Sequence, residues 1–451
     1  MRKIYKHLLI GLLLCSATVS RAATMSFTTS KAVGETFAIA MNPGVAVTVT
    51  WADGSQESFV SDGTLQTLTL ASQKFTLDTD AAVSSLYVAD NKIEAMDLTG
   101  IANSLKKLYC GNNELSTLNL SNFKNLNEVD LQGNNLTMLK VYGPESVNGA
   151  SNQLTMFAVS QFARVKQLFL ADNQLKGLGT TQMTSLENLF VQRNAIKSLK
   201  LNKCPSLKIA SLADNGTTTL DVTGNSQLQE LWAGGNAISK LDITSCGQLE
   251  TLIAPGSQMT TVLWDEACKK TLTYLDLRDN NLYFNSFPTV SNNKVLTTAL
   301  LAPQNPYPLV EEGYVYANVE NNWSSAKLQP MATNGWGGAS NPLLTITDSE
   351  GNTLKQGSDA ASSDYYNHLR RITFWDSTIG KTVTISATSN YYPDITLTTT
   401  PFVVTTPTGI KDATLDNNGK STEVYYNLNG QRVDKPTHGI YIANGKKVII
   451  R

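Results

Sequence analysis

Between Val83 and Leu282 the chain writes one pattern ten times, and no other feature of the sequence restricts its fold as much. In LYCGNNELSTLNL, from Leu108 to Leu120, a first apolar residue is followed by another two places on, an Asn five places on, and apolar residues seven, ten and twelve places on. The pattern also starts at Leu86, Val129, Val147, Leu168, Leu189, Ala210, Leu231, Leu252 and Leu275, with starts 22, 21, 18, 21, 21, 21, 21, 21 and 23 residues apart. A unit this short cannot bury its own apolar face. Stacked on its neighbours, it shares one continuous core with them.

The Asn column reads Asn91, Asn113, Asn134, Asn152, Asn173, Asn194, Asn215, Asn236 and Asn280, with Ser257 in the ninth copy. A buried amide without a partner costs about 1–3 kcal/mol. Stacked coils remove that cost, because each carboxamide can bond the turn backbone of its own coil and of the next. The frame resembles the leucine-rich repeat, and the match spans close to half the chain. About 21 residues leave no room for a strand plus a full helix, so the return side of each coil is expected to be extended or a single tight turn. Ten parallel strands would give a sheet about 45 Å long.

Alternation along each strand turns the residues just before, one after and three after the repeat start toward solvent. The column one after the start holds Tyr87, Tyr109, Asp130, Asn148, Phe169, Phe190, Ser211, Trp232, Ile253 and Asp276. The column three after it is mostly small, with Gln132, Gln192 and Arg278 as exceptions. Exposed rings beside small residues suit the contact surface of a large ligand. The candidate ligand-binding set is therefore Tyr87, Tyr109, Asp130, Phe169, Phe190, Gln192, Trp232, Asp276 and Arg278. The same rings also suit a plainer role as cross-strand pairs, Tyr87 with Tyr109 and Phe169 with Phe190.

The flanks are organised around this array. Residues 1–22 read as an export signal: Arg2, Lys3 and Lys6 precede HLLIGLLLC, and Ser20-Arg21-Ala22 offers small residues for a cut after Ala22. The apolar run is shorter than the roughly 20 residues of a spanning helix, and no other stretch approaches that length, so no transmembrane segment is expected. Residues 23–80 alternate apolar and polar with turn signals such as WADG at Trp51 to Gly54, and are read as an antiparallel β cap on the first coil.

The repeats occupy 81–290. Pro303, Pro306 and Pro308 mark 291–309 as the solenoid's exit. In 310–405, runs such as HLRRITFWDS and KTVTISATS suggest an immunoglobulin-like β-sandwich with Trp323, Trp336 and Trp375 in its core. The tail, 406–451, carries hairpin turns at Asn429-Gly430 and Asn444-Gly445. Its NGQRV, GIYI and KKVIIR resemble the C-terminal type IX sorting tail of secreted Bacteroidetes proteins.

The fold class read from the chain is mainly β: a leucine-rich repeat solenoid of ten coils, an N-terminal β cap and a C-terminal immunoglobulin-like β-sandwich. Chemistry is harder to find. The two His of the mature chain, His368 and His438, stand near no metal spacing, and no cofactor or metal is expected. Gly380-Lys381-Thr382 lacks the leading Gly of a phosphate loop and reads as a turn. Asp416 to Gly419 lacks the first acidic ligand of a calcium loop. Of the cysteines, Cys110 takes a core position. Cys204 and Cys246 lie two coils apart, beyond reach of each other, while Cys246 and Cys268 in neighbouring coils are a possible disulfide. Without residues 1–22 the chain keeps 32 basic against 37 acidic residues, a net charge of −5, which suits neither nucleic acid nor an anionic membrane surface.

Order and content together resemble internalin-like leucine-rich repeat surface proteins, in particular the internalin J type of oral and gut Bacteroidetes. That resemblance implies a non-enzymatic, monomeric adhesin, secreted or on the outer cell surface, that binds a host cell-surface or extracellular-matrix protein through the concave face of the repeats, with entry and biofilm formation as associated roles. Carbohydrate binding is the alternative the aromatic column supports. An enzyme with a site in the sandwich domain is a third.

Overall fold

The computed structural model describes residues 23–265, 267–287, 296–306, 314–317, 321–322, 343–368, 371–389, 392–405, 425–426, 432–433, 439–443 and 446–450. Residues 1–22, read as an export signal, Trp323, Trp336, the Asp416 to Gly419 stretch, His438 and the two Asn-Gly turns of the tail lie outside the described residues. The chain divides into two compact units. One comprises Met1–Leu282 with Ser286–Gln304, and the other Tyr283–Asn285 with Asn305–Arg451.

The first unit is mainly β and is built as a leucine-rich-repeat solenoid. Its long sheet contains eleven parallel strands in chain order, most of three residues from Ser85–Tyr87 to Thr298–Leu300, paired in a constant register. Leu108 is opposite Leu86, Val129 opposite Leu108, and so on to Leu275 opposite Leu252. Every repeat start from Leu86 to Leu275 is at most 1% exposed, so the frame read from the sequence is the frame of the core. The return sides are short strands and turns, among them Met138–Val141 beside Met156–Val159 and Lys240–Asp242 beside Thr261–Leu263.

The residue before each ladder position closes the strand with a left-handed backbone. Asp90, Asn112, Gly133, Ser151, Asp172, Arg193, Asp214, Gly235, Gly256 and Asp279 all have φ between 53° and 65°. Eight of these ten are Asp, Asn or Gly, the residues for which this region is least costly. After that turn the chain is no longer in the ladder, and the carbonyl two places after each repeat start points inward without a backbone donor. The carboxamides answer this need. Asn134 Nδ2 donates to the carbonyls of Cys110 and Leu131 at 3.1 and 3.0 Å, while its Oδ1 accepts from Leu115 N at 3.0 Å. Asn152, Asn173, Asn194, Asn215 and Asn236 repeat the arrangement.

The ladder closes differently at its two ends. At the first coil, Asn91 exchanges bonds with Ala38 in the N-terminal strand Thr36–Met41: Oδ1 accepts from Ala38 N at 2.7 Å and Nδ2 donates to Ala38 O at 2.6 Å. That strand pairs antiparallel with Ser85–Tyr87. On the return side, Ala23–Thr29 pairs antiparallel with Ile93–Asp97, so residues 23–80 are joined to the first coil along both edges. Phe27, Phe37, Phe75 and Trp51 pack ring to ring beneath this junction at 5.0 to 5.7 Å.

At the other end the ladder continues into 291–309, the segment read as the solenoid's exit. An eleventh strand, Thr298–Leu300, pairs parallel with Tyr274–Asp276, and Gln304 takes the rung. Its Oε1 accepts from Leu282 N at 3.0 Å, and its Nε2 donates to the carbonyls of Leu277 and Leu301. The prolines did not forbid this coil. Pro303 occupies the position whose N–H would bond a following coil, and in the last coil that donor is not needed.

In the second unit Thr382–Ser389 is the centre of a five-stranded sheet with Leu343–Asp348, Tyr392–Thr398, Phe402–Thr405 and Tyr314–Tyr316. Arg371–Phe374 joins Tyr365–His368 and Asn321–Asn322 in a three-stranded sheet. Ile346, Ile385, Phe374, Phe402 and Val404 are buried. Trp375 is half-buried and donates its ring N–H to Gly357 O at 3.3 Å. Gly380, at φ 84°, closes a turn, as expected from its sequence context. In the tail, Gly439–Ala443 pairs antiparallel with Lys446–Ile450, Ala443 facing Lys446.

Candidate functional site

The outward face of the long sheet carries the aromatic column, and its members do not share one environment. Tyr87 and Tyr109 are cross-strand partners with ring centroids 6.3 Å apart and tilted by 40°. Phe169 and Phe190 are likewise partners, stacked at 5.2 Å and 16°. All four are half-buried because each ring is covered on one side by its neighbour. Trp232 sits between Ser211 and Ile253 in register, meets no other ring, and is 41% exposed. The small column beside it, Ala213, Gly234 and Pro255, leaves the indole standing above the sheet.

Charged side chains along this face are mostly paired across adjacent coils. Lys107 meets Glu128 at 3.1 Å, Lys166 meets Glu145 at 2.9 Å, Lys208 meets Glu187 at 2.8 Å, and Arg193 forks onto Asp172. Exposed pairs of this kind contribute about 0–1 kcal/mol each and mainly fix positions. Tyr109 lies against the first of them, and burial is the leading cause of its raised hydroxyl pKa. Asp130 is half-buried, and desolvation raises its carboxyl above the ordinary range although Gln132 N donates to it at 3.0 Å.

Three of the expected binding residues are engaged or enclosed by their surroundings. Asp276 is 4% exposed: its carboxylate accepts from Arg278 Nε at 3.0 Å and from Arg278 Nη2 at 2.7 Å. The arginine two places on folds back over it, so neither group is offered to a ligand as a free charge. Gln192 is half-buried and its Oε1 is enclosed without a hydrogen-bond partner.

Where strand Thr36–Met41 meets the first two coils, a groove of about 500 Å³ opens beside Tyr87 and Tyr109, with Met41, Pro43 and Leu65 forming its apolar wall. The sequence offered no sign of that wall. Strand alternation in residues 23–80 shows which side chains point inward, but not which loop is brought to the edge of the solenoid.

Cys204, Cys246 and Cys268 belong to a second internal column, on the return side. The possible bond between Cys246 and Cys268 is corrected: all four described cysteines are free thiols. Cys268 Sγ points at the carbonyl of Cys246, 3.0 Å away, and at that of Ile243, 3.2 Å away. Cys246 donates to Val222 O at 3.8 Å and Cys204 to Thr180 O at 3.5 Å. Asn225 fills the same column between Cys204 and Cys246, donating to Leu201 O and Cys204 O. Thiols here satisfy turn carbonyls on the return side, as the carboxamides do on the strand side.

Burial pushes the Cys204 thiol up to about 11 and the Cys246 thiol up to about 12, and raises Cys110 and Cys268 as well. An unfolded thiol titrates near 8.5, so the unfolded chain loses these protons first and stability falls as pH rises from about 8.5 toward 11–12. The expected loss is about 1.4 kcal/mol per pH unit for each such thiol. At pH 8 the folded chain should take up no iodoacetamide at residues 204, 246 and 268 until denaturant is added. Peptide mass analysis checks this, and a non-reduced Cys246–Cys268 peptide, or labelling of the folded chain, would contradict the arrangement.

Among the described residues no group of three His, Cys, Asp or Glu is placed to hold a metal ion, and no helix is long and apolar enough to cross a membrane.

No protein-family model matches the chain, and no curated protein matches its sequence. Among solved structures, the chain is similar to the functional domain of InlJ from Listeria monocytogenes, described as including a cysteine ladder, at 14% identity and a TM-score of 0.36, covering 71% of this chain and 81% of that one. It is also similar to a leucine-rich repeat protein from Bacteroides eggerthii DSM 20697, at 18% identity and a TM-score of 0.33, covering 45% of this chain and 40% of that one.

Proposed function

We propose that the chain is a non-enzymatic, adhesin-like scaffold, secreted or held at the outer cell surface, that binds a host cell-surface or matrix protein through the outward face of its long sheet. One observation carries the reading: on a face whose packing needs no aromatic side chain, Trp232 stands 41% exposed and unpaired in a column of half-buried rings. Tryptophan, tyrosine and arginine dominate interface energetics. The eleven coils add length and rigidity, so that many side chains meet a large ligand at fixed spacing.

Residues 23–405 carrying Tyr109→Ala, Phe190→Ala and Trp232→Ala should retain far less protein from matrix and host-cell extracts than the wild type, by at least about tenfold if the rings act as contact hot spots. The two forms should have the same circular dichroism. Equal capture by both forms would remove the aromatic column from the reading. A glycan array bound through Trp232, with no protein captured, would replace the protein partner with a carbohydrate.

A further inference from the structure

The charges around Trp232 differ from those elsewhere on the face. In the coils that start at Leu108 through Leu189, four acids, Glu128, Glu145, Asp172 and Glu187, each meet a Lys or Arg of an adjacent coil, while Asp130 takes only the Gln132 N–H. In the three coils centred on Trp232, three acids lack such a partner among the described residues. Glu230 lies two residues before the indole on the same strand, so both side chains leave the same side of the sheet. Glu250, in the next coil, donates its N–H to Gln229 O, one residue before Thr251, which stands opposite Glu230 in register. Asp214, in the preceding coil, lies with Oδ1 against Gly235, three residues beyond the tryptophan.

Among the described residues none of these three carboxylates has an ion-pair partner. Lys208 is committed to Glu187, and Arg278 to Asp276. Arg193 is held chiefly by Asp172, with Asp214 its weakest influence. Within this stretch the indole is therefore an open aromatic face with Glu230 on its own strand and Glu250 and Asp214 in the two adjacent coils, none of them in an ion pair among the described residues.

Resting on the proposed use of this face, we infer that Trp232, with Glu230, Glu250 and Asp214 around it, is the subsite for a lysine or arginine side chain of the partner protein. A cation is the occupant that both elements favour. The ring quadrupole attracts it over the indole face, and the carboxylates attract it from the sides. A sugar would use the ring and donate hydroxyl hydrogen bonds to the carboxylates but would leave their charge unmatched, and an acidic segment would be repelled. The apolar stem of a long basic side chain would lie along Ile253, Ala213 and Gly234 while its head reaches the acids.

The test uses the full chain with ¹⁵N-labelled tryptophan, whose indole N–H signals are few, and Trp232→Phe identifies the one of interest. The peptide acetyl-Gly-Lys-Gly-Lys-Gly-amide should shift that signal in a saturable way, and its Gln counterpart and methyl glucoside should not. Glu230→Gln together with Glu250→Gln should weaken the response about threefold or more, and added salt should weaken it further. A shift caused equally by the Gln peptide, a shift caused by the glucoside, or no shift with the Lys peptide would overturn the assignment. So would an unchanged response in the double variant. If the triple-alanine form loses its captured protein while the Lys peptide leaves the Trp232 signal in place, the face binds a partner and the cationic subsite alone is wrong.

Discussion

Asn215→Ala is expected to lower the unfolding free energy by about 2–4 kcal/mol, measured from the denaturant midpoint at unchanged slope. Asn215 is 4% exposed, and its Oδ1 is the acceptor for Ile196 N at 3.1 Å. Its Nδ2 serves the carbonyls of Val191 and Leu212, each at 2.9 Å. Those two carbonyls keep a second donor, Asn194 and Asn236 respectively. The Ile196 N–H keeps none from the ladder, so the alanine leaves one buried donor orphaned and a small void beside it.

Asn215→Asp separates hydrogen bonding from shape, because the side chain keeps its volume. An ionised carboxylate can accept from Ile196 but would face the two carbonyls with no proton to give, so this variant should be less stable than the alanine at pH 7. Burial among acceptors raises the folded-state pKa of that Asp above its unfolded value near 3.9. Its stability is therefore highest below about pH 4 and declines as pH rises, whereas Asn215→Ala should track the wild type across the same range. Lys176→Ala, exposed on the same solenoid, should change stability by no more than about 0.5 kcal/mol. A cost for Asn215→Ala as small as that of Lys176→Ala would mean the carboxamide column is decoration.

Much of this architecture was legible in the chain because its signals are periodic. The repeat starts, the inward columns and the carboxamide rungs follow from a frame that each coil restates, and a single irregular copy cannot hide it. Ser257 shows the tolerance of that frame: its hydroxyl reaches Ala233 O at 2.8 Å and keeps the rung with one donor in place of a carboxamide. Gln304 was missed for the opposite reason. It lies in one copy, one methylene longer than Asn and among prolines, where periodicity had ended.

The candidate site was legible only by column. Sequence alternation placed Asp276 outward like Asp130, and nothing in it foretold that Arg278 would fold back onto it. It did set the rings opposite one another, Tyr87 with Tyr109 and Phe169 with Phe190, and left Trp232 without a ring beside it. That Trp232 is open and Phe169 and Phe190 are covered follows from which residue type is opposite each in register, information that becomes readable once the coil spacing is fixed. The thiols illustrate the same limit: neighbouring coils put Cys246 and Cys268 close, but whether a sulfur meets a sulfur or a carbonyl depends on the local turn.

The junction between residues 23–80 and the first coil should be the part of the solenoid least tolerant of a single added methyl group. Gly100 lies in the short 3-10 turn Thr99–Ile101 that packs under the strand Ala23–Thr29. A Cβ at position 100 would overlap the carbonyl oxygen of Thr24 and stand 2.8 Å from its nitrogen and 3.1 Å from its carbonyl carbon. All three are backbone atoms of a strand held on both edges, by Lys74–Thr79 and by Ile93–Asp97, and Met25 and Phe27 on it are 1% and 2% exposed. No side chain can swing aside, so either the strand shifts, disturbing the phenylalanine cluster, or the turn withdraws Ile101 from the core, where it is 1% exposed. Gly100→Ala is therefore expected to destabilise the chain by about 3 kcal/mol, at the upper end of the range for overpacking. The damage should be local at first. In a solenoid each coil depends on its neighbours, so amide exchange should quicken in residues 23–101 before it does in the coils beyond Leu189. Gly177→Ala, with open space around its Cβ position, is the matched control and should leave stability and exchange unchanged. Uniform acceleration along the whole solenoid, or no loss of stability at all, would show that the N-terminal sheet does not lock the first coil through this contact.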